Sequence, residues 1–325
     1  MLDEKILKIL RNSSEGHVSG EDLCRQAGVS RAAIWKHIER LRKDGYDIEA
    51  APHLGYRLKG VADALIPEEI KWDLHTKFLG KEIISYKKIA STNTAAYSMA
   101  EAGSKEGFVV LAEEQAKGRG RHGRSWASPA KGGVYMSIVL RPDVAPNEIP
   151  AITLLAAVSV ASAIRGVSGL DALIKWPNDI LINSRKVCGI LTEMKAEQDT
   201  VGFVIIGIGV NVNTPLKLLP KGASSLKEES GVEGREENLS RTGIVKAILE
   251  GLEKNYNLMR AEGFAPIVEK WKDLSAMLGA RIKVTLQNRT FEGLAHDMDT
   301  DGSLMVRLDS GVIEKVSSGD IVMVR

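Results

Sequence analysis

The segment GRGRHGRSW, residues 118–126, places three glycines and three arginines in nine positions with no acid among them. A packed core has no use for such a stretch, because arginine is almost never buried unpaired and ordered glycine costs backbone entropy. The residue types suit a clamp for a phosphorylated ligand. Glycines let backbone N–H groups turn toward oxygens, and arginines supply planar, charge-assisted forks. Trp126 adds a flat face for a nucleobase or an apolar tail. Lys117, Arg119, Arg121 and Arg124 repel one another and the glycines offer no competing local structure, so 117–124 is expected to be poorly ordered until an anion arrives. Gly118, Gly120 and Gly123 formally satisfy G-x-G-x-x-G. A dinucleotide site nevertheless needs a helix to start at the glycines, whereas RSWASPAKGG follows here. A plain surface loop and an RNA-binding arginine–glycine segment are the competing readings, the second disfavoured by the strands that bracket this loop.

Four further stretches carry chemistry-bearing residues. In KWPNDILIN (175–183), Lys175 ends a strand and Pro177 breaks it, leaving Asn178 and Asp179 to project from the turn. A lysine beside an arginine-rich loop makes sense where negative charge gathers on phosphate and carboxylate together; alone it would be a solvated strand end. SRKVCGILTE carries Gly189 inside a strand, and GIGVNVN carries Gly207 and Gly209 before Asn211. Glycine in a strand marks close approach to the backbone. Ser91, Thr92 and Asn93 stand at a strand-to-helix junction, where hydroxyls and orphan N–H groups can grip a compact polar head group.

The elements that must hold these residues fall into three parts. Residues 1–63 read as helix, helix, tight turn, helix and β-hairpin. Ser19 caps the second helix, which stops at Gly28. Ser30 caps the third, whose Ile34, Ile38 and Leu41 face inward, and YDIEAA and GYRLKG form the hairpin. That order is a winged helix-turn-helix. Arg31, Lys36, Arg40, Arg42 and Lys43 leave the third helix on other faces. A basic helix alone would be a solvated face; the preceding helix, turn and wing favour DNA. The DNA-contact candidates are Ser30, Arg31, Trp35, Lys36 and Arg40 on the helix and Arg57 on the wing.

Residues 64–274 alternate helix and strand: KEIISYKKIA, helical STNTAAYSMAEAG, GFVVLAEEQ, GVYMSIVL and a buried helix over 151–164. LIKW, DILIN, KVCGILTEMKA and VGFVIIGIGVNVN follow as an antiparallel meander. Residues 220–241 read as a loop with little rigid structure, and AILEGLEKNYNLM and PIVEKWKDLSAML as helices. Residues 275–325 are short strands with DTDG and DSG turns, which suggests a small β-barrel. The fold class is therefore α+β and multidomain, with a mixed α/β sheet at its centre.

Composition narrows the partners. A net charge of +2 over 325 residues makes nucleic-acid contact a matter of local clustering. Cys24 and Cys188 form no ligand-spaced set, which fits a reducing cytoplasm. MLDEKILKIL lacks a signal-peptide apolar region, and the 151–164 tract is shorter than the roughly 20 residues of a spanning helix.

AEEQAKGRGRHGRSW, KWPNDI, RKVCGIL and GIGVNVN together resemble the motif segments of the biotin–protein ligases, and the winged helix in front resembles the members that also repress a biotin operon. The resemblance covers nearly the whole chain; His122 and the 220–241 loop depart from it. It implies a biotin/lipoate ligase-like catalytic domain and an SH3-like barrel. It also implies a two-step reaction in the cytoplasm: biotin and ATP give biotinyl-5′-AMP and pyrophosphate, and a lysine of biotin carboxyl carrier protein then takes the biotinyl group. Lys175 and Arg119 are the catalytic candidates. Ser91, Thr92, Asn93, Gln115, Arg119, Gly120, Arg121 and Lys175 would bind biotin. Gly118, Arg121, Arg124, Trp126, Asn178 and Asn211 would bind the nucleotide. Mg²⁺ is expected on the phosphates, with no protein ligands assigned. A ligand-promoted homodimer would carry the repression, with biotinyl-5′-AMP as corepressor on operator DNA. A lipoate–protein ligase and a metabolite-sensing regulator without chemistry are the rival readings.

Overall fold

The computed structural model describes all residues except 1, 14, 15, 62, 198, 199, 232–237, 287 and 325. Its Cα positions divide into two compact units, Met1–Glu69 and Ile70–Arg325.

The first unit holds α1 (Leu2–Asn12), α2 (Gly20–Ala27), α3 (Arg31–Lys43) and an antiparallel hairpin of β1 (Tyr46–Ala51) and β2 (Gly55–Val61). Local chemistry sets each boundary. Ser19 accepts from the Asp22 N–H at 3.0 Å, Gly28 takes a left-handed conformation, and Ser30 accepts from the Ala33 N–H at 3.3 Å. Ile6, Leu7, Leu23, Ile34, Ile38 and Leu41 meet in one buried core with Tyr46 and Ile48. At Gly55, φ is +105° and a Cβ would stand 2.1 Å from the Val18 carbonyl, so the wing starts where only glycine fits.

α4 (Pro67–Lys71) ends the first unit and opens the second. The second unit then contains β3 (Ile83–Tyr86), α5 (Thr92–Glu101), β4 (Val109–Ala112), β5 (Gly133–Leu140), α6 (Ile149–Ser168), β6 (Leu173–Lys175), β7 (Asp179–Ile182), β8 (Arg185–Glu197), β9 (Thr200–Asn211), α7 (Leu226–Glu229), α8 (Arg241–Glu262) and α9 (Ala265–Asp273). The sheet order is β3-β4-β5-β9-β8-β7-β6; β3 and β4 run parallel and every other neighbouring pair is antiparallel. Residues from LIKW to GIGVN thus form the expected meander.

The sheet carries helices on both faces. Alternation sends Thr192 of β8 toward α6, where its hydroxyl meets Thr153 at 2.8 Å. It sends Ser137 of β5 toward α5, where it bonds Thr92 and Asn93. α6 runs to 20 residues, beyond the apolar tract seen in sequence, and is long and apolar enough to cross a membrane by composition. Here it is buried against α8, α9 and the sheet. α9 ends at Asp273, so LSAML is not helical as the sequence suggested. The 220–241 stretch is also more ordered than expected: Ser225 caps α7, and Ser224 and Leu226 are fully buried. Its residues 232–237 lie outside the described residues.

β10 (Arg281–Thr285), β11 (Thr290–Met298), β12 (Leu304–Arg307), β13 (Ile313–Val316) and β14 (Asp320–Met323) form a second antiparallel sheet, ordered β13-β12-β11-β10-β14. Trp176 donates its indole N–H to the Gly302 carbonyl at 3.0 Å, which holds this sheet against the end of β6.

Arg241 is wholly buried at the start of α8. Its guanidinium donates to Glu113 at 2.7 Å and to the Gly133 carbonyl at 3.2 Å, joining α8 to the chain on both sides of the glycine–arginine loop. Removing one partner of such a pair costs about 3–5 kcal/mol. Arg241→Met is expected to lower the urea midpoint by a corresponding amount; a midpoint equal to wild type would show that the pair contributes no stability.

Candidate functional site

The sheet face opposite α6 carries the site. Gly189 and Gly209 lie opposite each other on it across β8 and β9, with Gly207 two residues along β9 opposite Leu191, and together they clear side chains from that part of the sheet. Two larger groups occupy that strip. A Cβ on Gly209 would stand 2.4 Å from Trp126 Nε1, and one on Gly207 would stand 1.9 Å from Asn93 Oδ1. The glycines therefore let an indole and an amide rest directly on the backbone.

Above this strip lies a cavity of about 480 Å³, within the usual size range for a small-molecule site. It is lined at one end by Ser91, Thr92, Asn93 and Gln115, and at the other by Lys175, Asn178, Asp179 and Lys186. Arg119, Gly120, Arg121, Arg124 and Trp126 lie along the loop, and Thr285 and Asp320 come from the C-terminal sheet. The polar end is fixed by a chain of hydrogen bonds. Thr92 donates its N–H and hydroxyl to Gln115 Oε1 at 2.8 and 3.0 Å, Gln115 Nε2 donates to Ser128 Oγ at 2.9 Å, and Ser128 donates to the Trp126 carbonyl at 3.1 Å. Head-group pocket and loop are thereby one network.

The loop itself departs from the sequence expectation. Residues Arg121–Gly123 make a 3₁₀ turn, Gly120 N–H donates to the Arg124 carbonyl at 2.6 Å, and Trp126 N–H donates to Gly118 O at 2.9 Å. The expected repulsion is answered by distant acids: Arg119 pairs with Glu193 at 2.8 Å and Arg124 with Asp320. Arg121 meets neutral acceptors, Asn178 Oδ1 at 3.4 Å and Gly319 O at 3.5 Å. Burial pulls its guanidinium below the usual arginine range, against the opposing pull of Asp320 and Asp179.

Most of the residues singled out from the sequence converge on this cavity; two stand behind it. Gly118 supports the loop, since a Cβ there would meet the Trp126 carbonyl at 2.4 Å. Asn211 is buried and donates to the Ser224 carbonyl at 2.9 Å. Lys186 and Glu193 escaped the sequence reading, although both flank the quoted glycine strand. Lys186 pairs with Asp179 at 2.6 Å, and its ammonium lies 5.4 Å from the Trp126 ring centre. Cys188 is wholly buried, and burial pushes its thiol far up, so it stays protonated and takes no part.

In the first unit, Ser30, Arg31, Trp35, Lys36, Arg40 and Arg57 are all exposed, Trp35 at 61 %. Three of the basic residues of α3 are already engaged, Arg31 with Glu21 at 3.8 Å. Arg40 pairs with Asp3, and Arg42 donates to the Ile48 carbonyl at 2.9 and 2.6 Å, so Arg42 braces the hairpin.

Residues 86–211 match the Biotin/lipoate A/B protein ligase family, 3–57 an HTH domain and 277–324 the Biotin protein ligase C terminal domain. The chain is 40 % identical over 324 residues to the bifunctional ligase/repressor BirA of Bacillus spizizenii, covering 98 % of each chain. It is 30 % identical over 321 residues to the protein of that name from Escherichia coli, covering 98 % of this chain and 95 % of that one. Among solved structures, the biotin protein ligase from Aquifex aeolicus in complex with biotin and ATP superimposes with a TM-score of 0.63 at 27 % identity, covering 75 % of this chain and 99 % of that one.

Gly209→Ala is expected to push Trp126 off the sheet. Acrylamide should then quench a larger share of the indole emission, and the gain should vanish in Gly209→Ala/Trp126→Phe. Unchanged quenching would mean that Trp126 does not rest on Gly209.

Proposed function

Because the chain belongs to the biotin–protein ligase family, with a helix-turn-helix domain in front, we propose that it is a bifunctional ligase and repressor. One observation carries this reading: a single cavity joins a hydrogen-bonded head-group end to a cluster of lysines and arginines, under one loop. Ser91, Thr92, Asn93 and Gln115 would hold the ureido ring of biotin. Gly118 and Gly120 would give the loop its shape, and Arg119 and Arg121 would close over biotin and the phosphate. Lys175, with Lys186 beside it in the lining, bridges the biotin carboxylate and the α-phosphate. Arg124, Trp126, Asn178 and, from behind the wall, Asn211 serve the nucleotide side.

The carboxylate attacks the α-phosphorus of ATP, and pyrophosphate leaves. The biotinyl-5′-AMP anhydride is then opened by a lysine amine of biotin carboxyl carrier protein, which releases AMP. Two anions must meet in the first step, so positioning and positive charge supply most of the acceleration. No cluster of three potential metal-ligating side chains occurs among the described residues. Mg²⁺ would therefore enter on the ATP phosphates, as it commonly does with few protein ligands, and supply charge neutralisation there. Asp179 is a carboxylate placed to meet it.

The finer architecture belongs to the same reading: a winged helix over 1–63, a catalytic domain over 64–274 and a small SH3-like barrel over 275–325. Ile282, Val284, Ala295, Leu304, Val306 and Ile321 form the one-sided buried set such a barrel needs. The protein acts in the cytoplasm, binding operator DNA through α3 and the wing.

Biotin-dependent exchange of pyrophosphate into ATP tests the ligase. Lys175→Ala should lower it by about 10²–10³, as removal of one preorganised charge does. Exchange within a few-fold of wild type would reject the role of Lys175, and exchange supported by lipoate but not biotin would favour the lipoate ligase.

Repression requires a dimer. β8 pairs with β7 only through Gly189, and among the described residues its outer edge beyond Leu191 has no strand partner. Such an edge is a ready template for a symmetric contact. Two winged helices would span successive major-groove faces of a palindrome. Biotinyl-5′-AMP should couple loop closure to dimerisation by about 1–3 kcal/mol. Sedimentation and operator titration, with and without biotin and ATP, should both shift; constants unchanged by the adenylate would end the repressor half.

A further inference from the structure

Glu193 holds two parts of the site together. It lies on the site face of β8, opposite Ile205. Its Oε2 accepts from Asn93 Nδ2 at 2.8 Å and from Arg119 Nη2 at 2.8 Å. Asn93 is itself fixed: Nδ2 also donates to the Leu191 carbonyl at 3.2 Å, and Oδ1 accepts from the Ser137 hydroxyl at 2.6 Å. A surface ion pair held only by two mobile side chains would be worth little. Here the acid is anchored by a buried neutral donor, and only the arginine is free to move.

We propose that Glu193 is a positioning residue that ties Arg119, the first arginine of the loop, to the head-group end of the cavity. The inference rests on the biotin-ligase reading and narrows it. Arg119 roofs the ring of biotin, with its charge cancelled locally by a fixed carboxylate. Lys175 and Arg121, which meet no acid at hydrogen-bond distance among the interactions described, are left to face the phosphate. Arg121 fits that division, because both of its hydrogen-bond acceptors are neutral and long, and an anion would displace them readily.

The test uses the full-length protein, exchange kinetics and the release rate of preformed biotinyl-5′-AMP. Glu193→Gln keeps an acceptor for Asn93 and removes the charge that holds Arg119. The KM for biotin should rise about 10-fold and the adenylate should leave about 10-fold faster, as expected for loss of a charged hydrogen bond, while kcat falls by less than KM rises. Arg119→Met, which leaves β8 untouched, should show the same pattern even if the Gln variant does not fold. The double variant should be no worse than either single one. Amide hydrogen exchange over 117–124 in ligand-free protein should be faster in Glu193→Gln. Unchanged biotin KM and release, a loss confined to kcat, additive single effects or unchanged hydrogen exchange would each overturn the tie. A wild-type protein without biotin-dependent exchange would instead strike the ligase reading, and the ligand-free hydrogen exchange would still judge the tie.

Discussion

Like charges brought close together govern the second unit. Three arginines and two lysines converge on one cavity, and without compensation their mutual repulsion would open it. The fold compensates three of the five, each from a different element: Glu193 from the middle of the sheet for Arg119, Asp179 from the β7 turn for Lys186, and Asp320 from the C-terminal sheet for Arg124. None of these acids lies in the loop. The cavity therefore stays both closed and positive, since Arg121 and Lys175 have no acidic side chain in hydrogen-bond contact among the interactions described.

The second constraint is space. A tryptophan and an asparagine can lie on a sheet only where side chains are missing beneath them, and the Gly189–Gly209 pair with Gly207 beside it provides that space. Gly118 supplies the same freedom under the turn of the loop. The backbone, rather than apolar packing, is thus the floor of the site, and its precision comes from strand pairing.

The local part of this design was legible in the sequence. Capping serines, a left-handed glycine after α2 and the alternation in β5–β9 depend on near neighbours, so the winged helix and the meander could be read directly. Clustered residue types also pointed to Ser91–Asn93, the arginine loop and KWPND. Partnerships between distant residues could not be read. Nothing near Arg119 or Arg124 announces Glu193 or Asp320, which is why the loop looked more repulsive than it is. Lys186 was hidden for another reason: a lysine two residues before a buried cysteine in a strand looks like an ordinary edge residue, and the register shift between β7 and β8 at this point, which brings it to Trp126, is not announced in the sequence. Arg42, one of the basic residues off the apolar stripe of α3, likewise bonds a distant carbonyl, on β1, that its neighbours do not announce.

The pairing of Arg124 with Asp320 has a consequence for how the chain is made. The two residues are separated by 196 positions, so Asp320 is translated long after Arg124. At roughly 5–20 residues per second, the arginine loop leaves the ribosome some 10–40 s before its acid exists. During that interval Arg124 is without its acid, beside a ribosome coated in polyanion. The loop reaches its balanced state only when β14 has cleared the exit and docked. Neutralisation of Arg124 is therefore a late event that waits on docking of the C-terminal sheet.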